Sequence, residues 1–442
     1  MDDREFLRFF DACDPSRTLI PTEAEDQKYY VDFASVRGGR IIKTLERTIL
    51  MQARLNKPTC QLFTGHIGCG KSTELRKLQA DLEEQNFHVV YFESTEDLDM
   101  ADVDVTDVLL AITRQISVSL GEIGIQLSPG YFENLFGEMV DFLGAPIELS
   151  AQAKFSLPLG LGEILAKTRE SPTLRQRLRQ YLEPQTEKIL TTLNKHVLKI
   201  ANKKLRNHNK RGLVVLVDNL DRVDNRKLEG AERSQPEYLF VDRGDQLRKL
   251  DCHVVYTIPL SLIFSNDYQA LLNRFGGGIA PKTLPMVPVI QRNGNDHTEG
   301  LTLLKTMVMA RAFPGVDMAI VCQISYVEQI FESEATLDRL CTMSGGHVRT
   351  LLGMLYRCLQ EADPPIDLEL LNRVIQEYSD RACLAVTPDE KEMLEIVHQT
   401  KKVTGEEGHE TLLRSLFVFE YPGDQNGGWF DVNPLLMSLI NV

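Results

Sequence analysis

The sequence predicts an α/β fold, a parallel sheet flanked by helices, and three observations carry that prediction. An apolar run at 59–64 leads into Gly65-His66-Ile67-Gly68-Cys69-Gly70-Lys71-Ser72, and then into a helical pattern with Leu75, Leu78 and Leu82 on one face. A second run, Gly212-Leu213-Val214-Val215-Leu216-Val217-Asp218, is apolar throughout and ends in an acid. Such a strand is buried on both faces, as strands of parallel sheets are. Further apolar runs at 87–92 and 251–259 alternate with helical stretches, the order that builds βαβ units.

Strand, glycine loop and helix form the context that the pattern G-x-x-x-x-G-K-[ST] requires. The glycines let the loop wrap a phosphate with its own N–H groups, in conformations a Cβ would obstruct. The helix that starts there adds a partial positive charge. Lys71 supplies a formal charge for the β- and γ-phosphates, and the Ser72 hydroxyl can ligate Mg²⁺. With Thr73 these residues are the expected contacts to ATP, within a P-loop NTPase sheet. Ligands of open α/β sheets sit at the carboxyl ends of strands. Asp218 is therefore the Walker-B acid, holding Mg²⁺ directly or through water. The next residue is Asn219, which cannot act as a base. Asp221 is a candidate substitute; without one, turnover is slow and the chain works mainly as a nucleotide-state switch.

A length of 442 residues predicts two or three domains. With 43% hydrophobic and 25% charged residues the composition is that of ordinary globular protein. No apolar stretch approaches the ~20 residues that span a bilayer. The start, Met1-Asp2-Asp3-Arg4-Glu5, lacks a signal peptide's basic and apolar regions. Eight cysteines without a C-x-x-C pair suggest neither zinc nor a disulfide framework, so a reduced, cytoplasmic setting is expected. A net charge of −14 argues against a protein that coats nucleic acid over its whole surface, and leaves room for one basic face.

In chain order, 1–40 forms an N-terminal segment with a short apolar helix around Phe6, Leu7, Phe9 and Phe10. The core, 41–295, opens with a helix at 41–55. After the strand at 87–92 comes an acidic patch, Glu93, Glu96, Asp97, Asp99, Asp102, Asp104 and Asp107, without Lys or Arg among them. It lacks calcium-loop spacing; instead Asp102 or Asp104 should cap the helix through 108–112. A helical insertion is expected at about 121–211, with a short helix at 130–144 and an alternating stretch at 147–157. Its second half, 167–211, carries 13 Lys and Arg against three acids. That excess reads as a solvated helix face or as a docking surface for nucleic acid or an acidic partner. Thr257 ends the strand at 251–259. A helical stretch at 262–274 precedes a last strand at 283–289, whose prolines make it an edge or interrupted strand. Residues 296–385 form a helical lid, helical throughout 298–380. Residues 386–442 hold two helices and a hairpin around a Pro-Gly-Asp-Gln-Asn-Gly-Gly turn, a small winged-helix-like domain.

Together these motifs resemble the AAA+ superfamily of P-loop ATPases, in particular its initiator-like and STAND-related branches. The resemblance implies further roles by position. Thr257 stands where that superfamily keeps its sensor-1 residue, and Arg274 where it carries an arginine finger. Arg349, in Ser344-Gly345-Gly346-His347-Val348-Arg349, stands in its sensor-2 motif. Residues before the first core strand often lie against the adenine, which makes Tyr30, Val31 and Arg37 candidates alongside plain core packing. An arginine finger acting in trans requires a head-to-tail oligomer. Relatives of this kind include regulators in prokaryotic signalling and defence, and DNA-engaging initiators and transposition regulators. The alternatives to a switch are thus a DNA-engaging ATPase, or a nucleotide-bound interaction protein without turnover.

Overall fold

The computed structural model describes residues 2–39, 41–127, 157–227, 233–275, 277–406, 408–423 and 428–440. The expected helix at 130–144 lies outside them, as does almost all of the alternating stretch at 147–157. Five strands, β1 (Cys60–Gly65), β2 (His88–Glu93), β3 (Leu213–Asp218), β4 (His253–Thr257) and β5 (Lys282–Leu284), form one sheet in the order β2-β3-β4-β1-β5. The β1–β4, β3–β4 and β2–β3 pairs are parallel. β4 therefore separates β1 from β3, so their carboxyl ends lie two strand spacings apart, about 10 Å. β5 is an edge strand as expected, but it stops at Leu284. Pro285, without an N–H, cannot continue a ladder.

The chain divides into two compact units. One comprises 43–64 and 78–282, the other 1–42, 65–77 and 283–442. In the first, β3 is buried along its whole length, with Val214, Val215, Leu216 and Val217 at 0% exposure. This is the both-faces burial that its unbroken apolar run predicts. The helix Val105–Glu122 packs into the same core and is capped as expected by Asp104, in a capping box closed by Asp107. The stretch expected to be helical at 262–274 is instead a 3₁₀ turn, Leu260–Phe264, and a helix, Tyr268–Arg274.

The arginines of the basic segment meet the acidic patch. Arg175 pairs with Asp99 at 2.5 Å, and Arg179 with Asp102 at 2.9 Å. Arg169 donates to the Glu96 carbonyl at 2.7 Å. Two charge-biased stretches of the sequence thus neutralise each other. The lysine-rich end remains in water: Lys195, Lys199, Lys203 and Arg206 are exposed at helical spacing.

In the second unit the helices Thr298–Ala312, Glu334–Met343, Val348–Glu361 and Leu368–Leu384 pack around a core shared with Phe9, Val31, Phe33 and Val36. The lid is not helical throughout: Pro314 and Gly315 end its first helix, and turns occupy most of 313–323. Helices Pro388–Thr400 and His409–Arg414 lead to an antiparallel hairpin, β6 (Val418–Tyr421) and β7 (Trp429–Val432). Among the described residues no helix is long and apolar enough to cross a membrane.

Candidate nucleotide-binding site

The glycine loop leaves β1 at Gly65 and enters the helix Lys71–Glu84 at Lys71, as the motif requires. Lys71 is 6% exposed, and its ammonium donates to the carbonyls of Gly65 and His66 at 2.8 Å each. Ser72 and Thr73 follow, half-buried, in the first turn. Arg37 reaches the loop: its Nη2 donates to the Cys69 carbonyl at 2.8 Å, and its guanidinium lies over the Phe33 ring. The side chain is buried and its Nε has no partner. Burial also holds its pKa below the usual range. A buried cation with a donor to spare beside a phosphate loop fits an anionic ligand. Val31 lies in the lid core with Phe33 and Val36, while Tyr30 is half-buried on the same segment.

The loop is bonded to both the lid and the C-terminal hairpin. His347 donates from Nε2 to the Ile67 carbonyl at 2.8 Å, and Thr350 Oγ1 meets its Nδ1 at 2.7 Å. The Arg349 backbone N–H donates to the Gly68 carbonyl at 3.3 Å, while the Arg349 side chain is exposed. Glycine is needed at both faces of this contact. A Cβ on Gly68 would lie 2.6 Å from His347 Nε2, and one on Gly346 would lie 1.7 Å from the Val287 carbonyl. From the hairpin, the Glu420 N–H donates to His66 Nε2 at 3.0 Å, and Phe419 packs against the rings of His66 and His347. Burial, with the neighbouring positive groups, pushes His66 down to about 3 and His347 down to about 4, so both rings are neutral at pH 7. The Glu420 carboxyl is pushed up by burial to about 8.

The acid-bearing strand ends form a second network. Asp218 is 1% exposed; its Oδ2 accepts from the Tyr91 hydroxyl at 2.7 Å and its Oδ1 from the Asn219 N–H at 2.7 Å. Asn219 adopts a left-handed conformation, φ 58°, and its amide donates to Glu93 Oε2 at 2.6 Å. Asp221 lies in the 3₁₀ turn Leu220–Arg222 and is 7% exposed. Thr257, at the end of β4, accepts from the Leu220 N–H at 2.9 Å and donates to the Val217 carbonyl at 3.3 Å. Its hydroxyl ties down the turn after β3. Arg274, half-exposed at the end of its helix, contacts the Val241 carbonyl at 3.3 Å and Asp242 at 3.5 Å.

Among the described residues no group of three His, Cys, Asp or Glu side chains is arranged to hold a metal. Mg²⁺ seldom needs one, since it binds through one or two protein oxygens, water and substrate phosphates. A carboxylate oxygen has two lone pairs, so the hydrogen bonds on Asp218 leave it able to ligate.

Residues 40–230, which contain the loop, β1, β2 and the acid at the end of β3, match the family model described as the KAP family P-loop domain. This segment resembles a KAP family P-loop domain. The expectation of a P-loop NTPase sheet holds. No curated protein matches the chain. Solved structures with a similar trace include Drosophila ORC bound to DNA, with 11% identity, a TM-score of 0.40 and coverage of 98% of this chain and 90% of that one. Aeropyrum pernix ORC2 has 13% identity, a TM-score of 0.39 and coverage of 99% and 96%. The Walker-type ATPase paby2304 of Pyrococcus abyssi has 12% identity, a TM-score of 0.42 and coverage of 98% and 100%.

Two members of this acid network escape the sequence reading. Tyr91 belongs to a run read only as a buried strand, and Glu93 to the acidic patch. Their spacing of two at a strand's carboxyl end places both on one face, and that is the signal that marks them. The contact of His66 and His347 with the hairpin has no local signal at all.

Proposed function

We propose that the chain is an ATP-binding, slowly hydrolysing regulatory ATPase, an AAA+/STAND-like switch or assembly scaffold. In this reading residues 65–73 cradle the phosphates, with Lys71 and Arg37 bringing positive charge to them. Ser72 and Asp218 hold Mg²⁺, which offsets phosphate charge when bound. The 30–37 segment flanks the adenine. Thr257 and Arg349 sense the nucleotide, and Arg274 completes the site of a neighbouring copy. The presence of the loop strand β1 and the acid strand β3 in one parallel sheet supports a shared triphosphate.

One observation supports switching above all. Consecutive loop residues, His66, Ile67 and Gly68, are hydrogen-bonded to the hairpin and to the lid helix. A phosphate that reshapes the loop must disturb those bonds, which biases one arrangement over another. The chain carries its own probe. Trp429, the single tryptophan, stacks on Tyr421 at 4.7 Å, and the Tyr421 hydroxyl donates to the Gly345 carbonyl at 2.8 Å. ATP with Mg²⁺ should therefore change Trp429 fluorescence in the wild-type protein. Lys71→Ala should lose that change and at least about tenfold in affinity, the loss of one charge-assisted contact. Asp218→Asn should remove the Mg²⁺ dependence. Unchanged ATP affinity in Lys71→Ala would refute the site.

A second reading, a DNA-engaging ATPase, is favoured by one feature. The exposed row Lys195, Lys199, Lys203 and Arg206 lies in a stretch without any acid between Glu187 and Asp218.

A further inference from the structure

The Walker-B acid is followed by an amide, yet the strand beside it ends in a carboxylate. Glu93 and Asp218 are register partners at the carboxyl ends of β2 and β3. Like charges at facing positions of neighbouring strands are unfavourable, and here donors from Tyr91 and Asn219 hold both carboxylates in place. The two acids belong to one network. Tyr91, two residues before Glu93 on the same face, donates to Asp218 Oδ2 at 2.7 Å. Asn219 donates its backbone N–H to Asp218 Oδ1 and its side-chain amide to Glu93 Oε2, at 2.7 and 2.6 Å. Asn219 makes both bonds from a left-handed backbone, φ 58° and ψ 9°. That conformation is disfavoured for residues with a Cβ but is accessible to Asn.

We infer that Glu93 is the proton acceptor for hydrolysis and that Asn219 is the positioning residue that holds it. The acid and the amide stand as a pair across β2 and β3, with the acid on β2 and the amide after Asp218. This rests on the ATPase reading above and names the group that this reading otherwise lacks. In the step, a water oxygen bonds to the γ-phosphorus while the bond to the β–γ bridging oxygen breaks. The electron pair leaves with the diphosphate. The water's proton passes to the Glu93 carboxylate and from there to solvent. An ionised carboxylate is acceptor-only and suits that role; an amide does not. Asp221, held in the turn beyond Asn219, is the competing candidate. The two hydrogen bonds of Asn219 tie Glu93 to Asp218 through a single residue.

The test is phosphate release and ATP binding measured side by side on the full chain. Glu93→Gln preserves shape and hydrogen bonding. It should lower kcat by about 10²-fold or more, the usual contribution of a general base, with ATP affinity changed less than about threefold. The exchanged pair, Glu93→Gln with Asn219→Asp, puts the acid after Asp218 and the amide on β2. It should recover at least tenfold of the lost rate, which a purely structural role for Glu93 would not permit. Wild-type turnover that survives in Glu93→Gln, or a loss confined to Asp221→Asn, overturns the assignment and leaves the ATPase reading standing. A wild-type protein that binds ATP and releases no phosphate overturns the assignment and the hydrolytic half of that reading. Loss of ATP binding in the wild type itself overturns both.

Discussion

Glu420 shows how much one buried group can set the pH response of the hairpin contact. Its carboxyl is raised by burial from an ordinary 4.5 to about 8. The folded state therefore binds a proton that the unfolded chain has already released between those values. Stability from this group is fully present below about 4.5 and is lost as pH rises through about 8. Glu420→Gln keeps the shape and removes the titration. The variant should melt higher than wild type at pH 8, with the difference shrinking toward pH 5; thermal melts across that range check it. The opposite sign holds for His66. Its depressed pKa makes acid, below about 6.5 and toward 3, the condition that loosens the loop from the hairpin.

At the level of elements, the helices of the basic segment are held by ion pairs as well as by apolar packing. Arg179 reaches Asp102, and lies within 4 Å of Asp104 and Asp107. Those two acids are the cap and the N3 residue of the helix Val105–Glu122. Asp107 is pushed up to about 7 by burial and by the charge of Asp104, with Arg179 opposing that shift. Removing the arginine strands several carboxylates in a poorly solvated place, a loss on the order of 1–3 kcal/mol. Arg179→Ala should lower the urea midpoint accordingly, while Lys199→Ala, whose side chain is exposed, should not. The basic segment looked in the sequence like a single surface. The structure divides it, because arginines within reach of the acidic patch are spent on it and the lysines beyond are not.

Across the whole molecule, the remaining basic row bears on partners. Four cations at helical spacing, with no acid nearby in sequence, suit a nucleic-acid backbone better than a folded protein of mixed charge. If they neutralise four phosphates, the logarithm of duplex affinity should fall with the logarithm of salt at a slope of about −3 to −4. Lys199→Glu with Lys203→Glu should reduce that slope by about half. No binding even at low salt removes the DNA-engaging reading and leaves the switch unaffected.

Much of this protein is local and was therefore legible. The spacing of glycines before Lys71, the unbroken apolar run before Asp218, the cap at Asp104 and the prolines that end β5 all act through chain neighbours, and periodicity and backbone chemistry report them. The P-loop class follows from those features alone. Pairings between distant segments were decided only by packing. Arg37 at Cys69, His347 at Ile67, Glu420 at His66, Arg179 at Asp102 and Glu93 at Asn219 join residues 32 to 354 positions apart. No sequence period links such pairs; burial selects them, by excluding water from polar groups until each finds a partner.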